Sequence, residues 1–223
     1  MDGFGARVGL ALELRARRIH DRLHRHHPDS AVHSLRVAEI TMGMWRTAPD
    51  LLGSVETALL GSLLHDVGKL CVPREILASP HLLTWEERAV MSTHAAQGAE
   101  MLLAMGFPEA IAAVARCHHA RWAGGGYPFS GSARRLPPIV RAVAVADAFD
   151  AMTDPGREHR PPLGRREALR EVAACAGTHF DPVAAAILAD SLVRPAEDQT
   201  WRAPAMRSFW PSPAARADLA TVH

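Results

Sequence analysis

Apolar positions along the chain recur three and four residues apart and β-branched runs are scarce, which predicts an almost entirely helical fold. A first helix is read over residues 8–26 and is stopped by Pro28. A second opens near Asp29 and Ser30, both good N-caps, and carries Val32, Leu35, Val37, Ala38 and Ile40 inward. Ser54 opens a third, with Val55, Ala58, Leu59, Leu63 and Leu64 as its apolar positions and Gly68 as its C-terminal stop. Thr84 and Glu87 spell a capping box, and the helix they begin is expected to run past His94 to Gly106. Pro108 starts the next, which ends on His118-His119. Residues 123–138 are rich in glycine and proline and form a loop too long to be a mere connector. Further helices are expected over 139–152, over 165–176 with Gly177 as cap, and from Asp181-Pro182 to residue 192. The pattern then gives way to Pro, Ala and Arg with isolated Trp201, Phe209 and Trp210. The expected division is an N-terminal helix or linker over 1–28, one domain over 29–193 and a tail over 194–223.

Composition narrows the function classes. A chain of 223 residues suffices for one well-buried domain. Its net charge is only +1 with the signs interspersed, which excludes a protein that holds a nucleic-acid polymer mainly through charge. The basic run of Arg15, Arg17, Arg18, Arg22 and Arg25 reads as a solvated helix face. Cys71, Cys117 and Cys175 are odd in number and lack CxxC spacing, so they are expected to be buried, reduced and in a reducing compartment. No apolar run approaches the ~18 residues of a membrane span, and the start has no signal-peptide core. The expectation is a cytoplasmic protein that does not enter a membrane.

Five scattered pieces carry the candidate chemistry: His33, His65-Asp66, His94, His118-His119 and Asp147. An adjacent imidazole and carboxylate near a helix end serve two metals if the carboxylate bridges, and Gly68 lets the chain turn so that Lys69 returns to the same cavity. Each piece also has a plain structural reading. His33, His65 and His94 lie among apolar residues as core histidines would, and Lys69 alone reads as a surface lysine. Asp147 emerges from Val143-Ala144-Val145-Ala146, so burying it demands a partner, either a metal or an arginine such as Arg141. Metal coordination satisfies all of these buried polar groups together, and two divalent metals with a lysine beside them are the equipment for cutting a phosphate ester.

The order of the motifs identifies a resemblance. The chain resembles the HD-GYP domain, a bacterial branch of the HD phosphohydrolases, from about His27 to Pro182. The matching blocks are His33-Ser34-x-Arg36-Val37, His65-Asp66-Val67-Gly68-Lys69, Pro73-x-Glu75-Ile76-Leu77, Leu83-Thr84-x-Glu86-Glu87 and His94-x-x-x-Gly98. They continue through His118-His119, Gly126-Tyr127-Pro128, Val145-Ala146-Asp147-x-Phe149-Asp150-Ala151-Met152-Thr153 and Gly177-Thr178-x-Phe180-Asp181-Pro182.

The resemblance implies an all-α, HD-type helical bundle that binds two or three divalent metals, iron or manganese, and hydrolyses cyclic di-GMP to pGpG and GMP with a metal-activated hydroxide. It assigns His33, His65, Asp66, His94, His118, His119 and Asp147 as metal ligands, Asp66 as the bridge, and Lys69 as the contact to the scissile phosphate. Some members add a carboxylate one helical turn before the first histidine. Asp29 falls there, with an ordinary first-turn acid as the competing reading. Gly126, Tyr127, Pro128, Asp150, Arg157 and Arg160 are the candidate substrate contacts. Relatives also suggest a signalling partner, such as a diguanylate cyclase or a sensor or receiver protein, and a homodimer is a further expectation.

The chain departs from the pattern at Ala120, where the family writes glutamate, and at Ala123-Gly124-Gly125, where it writes a carboxylate-bearing loop. Arg157-Glu158-His159-Arg160 stands in place of the usual Arg-Pro-Tyr-Arg. Two alternatives therefore stay open. One is a phosphohydrolase of another cyclic dinucleotide or nucleotide ester, and the other a binding or scaffold protein with little or no catalysis.

Overall fold

The first helix of the chain, α1 (Gly3–His26), places Leu12, Ala16, Ile19 and Leu23 on one buried stripe, and Leu12, Ala16 and Ile19 lie in the same core as the helices that follow. In the computed structural model, residues 3–128, 131–156 and 161–193 are described, with side chains from residue 9 onward. Residues 157–160 and 194–223 lie outside this range, and with them the expectations for Arg157, Arg160 and the tail. The five arginines of the basic run are exposed, as a solvated face requires.

The second helix, α2 (Pro28–Thr47), begins earlier than the sequence suggests. Pro28 supplies a preset φ at its first position, so the cap is His27, whose Nδ1 accepts a hydrogen bond from the Ser30 backbone N–H at 3.2 Å. Ser30 is buried inside the helix and Asp29 is an exposed first-turn residue. A short turn, α3 (Pro49–Leu52), precedes α4 (Val55–Leu63), where Ser54 caps by accepting from the Thr57 N–H. The chain then enters a 3₁₀ helix, Val67–Cys71. Gly68 lies inside it with no positive φ, so it is not a helix stop. It is glycine because a Cβ there would collide with the backbone carbonyl of His94 and the N–H of Gly98.

After the short α5 (Arg74–Leu77), the capping box forms as expected, with Glu87 N–H to Thr84 Oγ1 at 3.2 Å and Thr84 N–H to Glu87 Oε2 at 2.8 Å. Its helix does not reach Gly106. It divides into α6 (Trp85–Ser92) and α7 (His94–Ala104). At the break, the Thr93 hydroxyl donates to the Val90 carbonyl at 2.7 Å and His94 Nδ1 to the Met91 carbonyl at 2.7 Å, so side chains take acceptors that a continuous helix would use. The bundle is completed by α8 (Glu109–Cys117), α9 (Pro138–Thr153), α10 (Arg165–Ala174) and α11 (Pro182–Val193).

Helix α2 is central and packs against α1, α4, α9 and α11, while α7 lies on α8 and on the 3₁₀ helix. The long loop between α8 and α9 is tied down by Trp122 N–H to His179 O at 2.9 Å and Ala123 N–H to Thr178 O at 2.8 Å. Arg134 and Arg141 lie over the Trp122 ring, and Arg141 pairs with Asp181 at 2.6 Å rather than with Asp147. Of the three free cysteines only Cys117 is buried, because the turn holding Cys71 faces outward and Cys175 ends a surface helix. No helix among the described residues is long and apolar enough to cross a membrane.

Candidate metal centre

The seven side chains come to one place at the middle of the bundle. Helix α2 supplies His33, the turn after α4 supplies His65 and Asp66, the start of α7 supplies His94, the end of α8 supplies His118 and His119, and α9 supplies Asp147. Asp66 is the hub. Its Oδ1 lies 3.2 Å from His94 Nε2 and 3.7 Å from His118 Nε2, and its Oδ2 lies 3.4 Å from His65 Nε2 and 3.9 Å from His33 Nε2. Three ligand groupings arise, each with its donor atoms within 4.8 Å of one another: Asp66 with His94, His118 and His119; His33 with His65 and Asp66; His65 with His118 and Asp147. Asp66 belongs to two of them, the arrangement of a bridging carboxylate.

Local backbone geometry orients the imidazoles. Nδ1 of His65 donates to the Ser62 carbonyl at 2.7 Å, that of His94 to Met91 O at 2.7 Å and that of His118 to Ala115 O at 2.9 Å. A carbonyl only accepts, so each Nδ1 carries the proton and each Nε2 presents a lone pair to the cluster. His65 Nε2 is buried without any hydrogen-bond partner. Nε2 of His94 and Nε2 of His118 stand 3.4 Å apart, two lone pairs facing one another. Such an arrangement repels unless a cation lies between them, and an all-nitrogen-and-oxygen donor set suits a divalent transition metal. The residues present fit a metal cluster.

Charge balance points the same way. Burial would raise the carboxyl of Asp66, but the Lys69 ammonium, donating to Oδ2 at 2.6 Å, holds it well below the usual carboxylate range. Burial likewise opposes ionisation of Asp147, and the His33 hydrogen bond at 2.9 Å overrides it. Burial and the adjacent imidazoles push His118 well down, and burial pushes His119 down to about 4. Both imidazoles are neutral at neutral pH, as metal ligation would require. His33 is the exception. Burial disfavours its charge, yet its two ring nitrogens donate to Asp147 and Asp150 and it is pushed up to about 9. A proton on His33 Nε2 thus occupies the position a metal would take.

Several expected contacts find other roles. Asp150 was expected to touch substrate, but it is buried and accepts from His33 Nδ1 at 2.7 Å and from Arg36 Nε at 2.8 Å. Arg36 also reaches Asp154, closing a chain of charges behind His33. The sequence names Arg36 only as part of the block that begins at His33, with no role, and does not mark Asp154 at all. The available signal was spacing: Arg36 follows His33 by one helical turn and Asp150 follows Asp147 by one. Asp29 is exposed and joins none of the ligand groupings. Tyr127 stacks on His119 with ring centroids 4.5 Å apart, and Gly126 packs against the His119 carbonyl where a Cβ would not fit. Pro128 is exposed. A pocket of about 240 Å³ opens beside His118, His119 and Asp147, and the buried Ala120 lines it.

Comparison with known proteins places the chain in a family. The HD domain family model matches residues 25–183. A cyclic di-GMP phosphodiesterase of Thermotoga maritima is 39% identical over 121 residues, covering 53% of this chain and 33% of that protein. The cyclic di-GMP phosphodiesterase PA4108 of Pseudomonas aeruginosa is 37% identical over 154 residues, 68% of this chain and 36% of that protein. A 3'3'-cGAMP-specific phosphodiesterase 2 of Vibrio cholerae is 35% identical over 123 residues, 54% of this chain and 23% of that protein. The chain thus spans about a third or less of the length of these curated relatives. Among solved structures, Bd1817 of Bdellovibrio bacteriovorus, described as an HDG"Y"P protein, has a TM-score of 0.57 at 18% identity, covering 72% of this chain and 51% of that one. The HD domain of the Listeria monocytogenes phosphodiesterase PgpH, in complex with cyclic-di-AMP, has a TM-score of 0.55 at 16% identity, covering 78% and 93%. These likenesses bear on the fold alone, whereas the family match takes in every residue of the cluster around Asp66. The chain therefore belongs to the HD domain family.

Proposed function

We propose that this protein is a metal-dependent phosphodiesterase of cyclic dinucleotides, acting on cyclic di-GMP to yield pGpG and, on a second cut, GMP. The observation that carries the reading is the buried Nε2 of His65, without a hydrogen-bond partner among six further His and Asp candidate ligands. His33, His65, Asp66, His94, His118, His119 and Asp147 are the proposed ligands of two divalent ions, iron or manganese, with Asp66 shared. Such ions supply Lewis-acid polarisation of the phosphoryl group and a lowered pKa for water.

The chain's own residues do the rest. Lys69 is partly exposed at the edge of the cluster, where its ammonium offsets charge on the phosphoryl oxygens. Asp150 and Arg36 keep the His33 ring in position. Tyr127, stacked on His119, walls one side of the entrance and limits the water that reaches it. The reading also includes a cytoplasmic location, a signalling-protein partner and a homodimer.

The test is to purify the protein anaerobically with iron or manganese, count bound metal and assay a panel of cyclic dinucleotides and nucleotides. Turnover of cyclic di-GMP is the expected result. Tight binding by metal-replete protein without turnover would instead favour a binding or scaffold role. A second enzymatic reading draws on Ala120, which leaves the pocket beside His119 and Asp147 without the glutamate the family carries there. Together with the likeness to 3'3'-cGAMP-specific relatives, it supports a hybrid cyclic dinucleotide or another phosphate ester as substrate. Hydrolysis of those compounds but not of cyclic di-GMP would decide for it.

A further inference from the structure

The entrance to the cluster continues into a second depression that the phosphodiester chemistry does not use. A groove of about 850 Å³ lies between α6 and the segment leading into it, walled by Ile76, Leu83, Trp85, Arg88 and Met91. Its size is that of a small-molecule site, ~300–1,000 Å³. Tyr127 and Gly125 line both this groove and the pocket beside His119, so the two share a wall. Helix α6 is also fixed to the cluster, since His94 Nδ1 donates to Met91 O. A molecule lying across both depressions is therefore held in register with the ligands.

The lining is selective. Trp85 sits at the first position of α6, is 81% exposed and contributes nothing to the core. Arg88 follows one helical turn later on the same side. Its Nε donates to Leu83 O at 3.0 Å, which holds the guanidinium while its terminal nitrogens have no partner among the described residues. An accessible indole beside an anchored fork of donors is a pair that recognises a flat base with two acceptors on one edge. Guanine has them, O6 and N7, and Arg is their usual bidentate partner, whereas adenine places a donor at N6.

We propose that this groove is a guanine subsite: one base of a cyclic dinucleotide whose phosphate lies at the cluster stacks on Trp85 and presents O6 and N7 to Arg88. The inference rests on the phosphodiesterase reading above and names how its substrate is chosen.

The experiment uses metal-loaded Trp85→Ala, Arg88→Met and Arg88→Lys proteins, each checked for metal content. Cyclic di-GMP, cyclic di-AMP and bis(p-nitrophenyl) phosphate are the substrates. Trp85→Ala is expected to lower kcat/KM for cyclic di-GMP, relative to the base-free ester, by about tenfold, mostly through KM. Both Arg88 variants are expected to lower the preference for cyclic di-GMP over cyclic di-AMP by about tenfold, because lysine keeps the charge and loses the fork. Ratios that move less than about twofold in fully metallated variants would overturn the subsite and leave the phosphodiesterase reading standing. Unchanged ratios with a dimer that dissociates in Trp85→Ala would make the groove an interface between copies. If the unsubstituted protein cleaves the simple ester and no cyclic dinucleotide, the phosphodiesterase reading fails and this inference falls with it.

Discussion

Asp66 sets the terms at the scale of single residues: one buried carboxylate stands within 3.9 Å of the imidazoles of His33, His65, His94 and His118, with Lys69 at 2.6 Å. Replacing it by asparagine keeps the shape and removes the charge that two metals would share. Asp66→Asn is expected to lose most bound metal by elemental analysis and at least about a hundredfold in turnover. Unchanged metal content in that variant would mean the cluster holds no bridged pair. Behind the proposed ligands, Asp150 fixes the His33 ring, so Asp150→Asn is expected to weaken metal affinity about 10–100-fold while the helical signal in circular dichroism persists. The histidines and aspartates themselves were legible in the sequence because their motifs are contiguous. The Asp150–Arg36 pair was not, because two residues 114 apart meet only when α2 and α9 pack.

Among the elements, the contact between the 3₁₀ helix and α7 positions the cluster. Gly68 and Gly98 let two backbones touch, and this contact sets Asp66 beside His94. Gly68→Ala is expected to destabilise the fold by about 2–4 kcal/mol in denaturant unfolding, since backbone rather than a flexible side chain must yield. A neutral effect would show that the contact is soft. By contrast, Thr84→Ala removes one half of an exposed cap and is expected to cost only about 1 kcal/mol. Periodicity located most helices within a few residues, and the caps at Ser54 and Thr84 stand where their side chains predict. It missed the break at Thr93, because an apolar stripe that continues across a kink looks like one helix, and the kink is made by side-chain hydrogen bonds.

For the whole molecule, the assembled site couples stability to protons and metal. In metal-free protein His118 and His119 are held neutral, His119 at about 4, so their contribution is present above the ordinary histidine pKa of about 6.5 and is lost as pH falls towards 4. His33 is pushed up to about 9, so its contribution is present below about 6.5 and is lost as pH rises through 9. Calorimetry of metal-stripped protein is therefore expected to show Tm falling on both sides of neutrality, and His119→Asn to flatten the acid limb. An acid limb identical in that variant would contradict the assignment. Metal at a hundredfold excess over its Kd is expected to stabilise the protein by about 2.7 kcal/mol, read as a rise in Tm that chelator reverses. By itself the sequence determined the helical class, the helix starts marked by local caps, and the identity of the candidate ligands, because each depends on residues close together in the chain. Only the tertiary structure decided that α1 joins the same core, that Gly68 is a contact rather than a stop, that Asp150 and Arg36 stand behind His33, and that an apolar groove with Trp85 and Arg88 adjoins the cluster. Those outcomes depend on which surfaces meet across long stretches of chain, and packing between helices settles that question where local propensity does not.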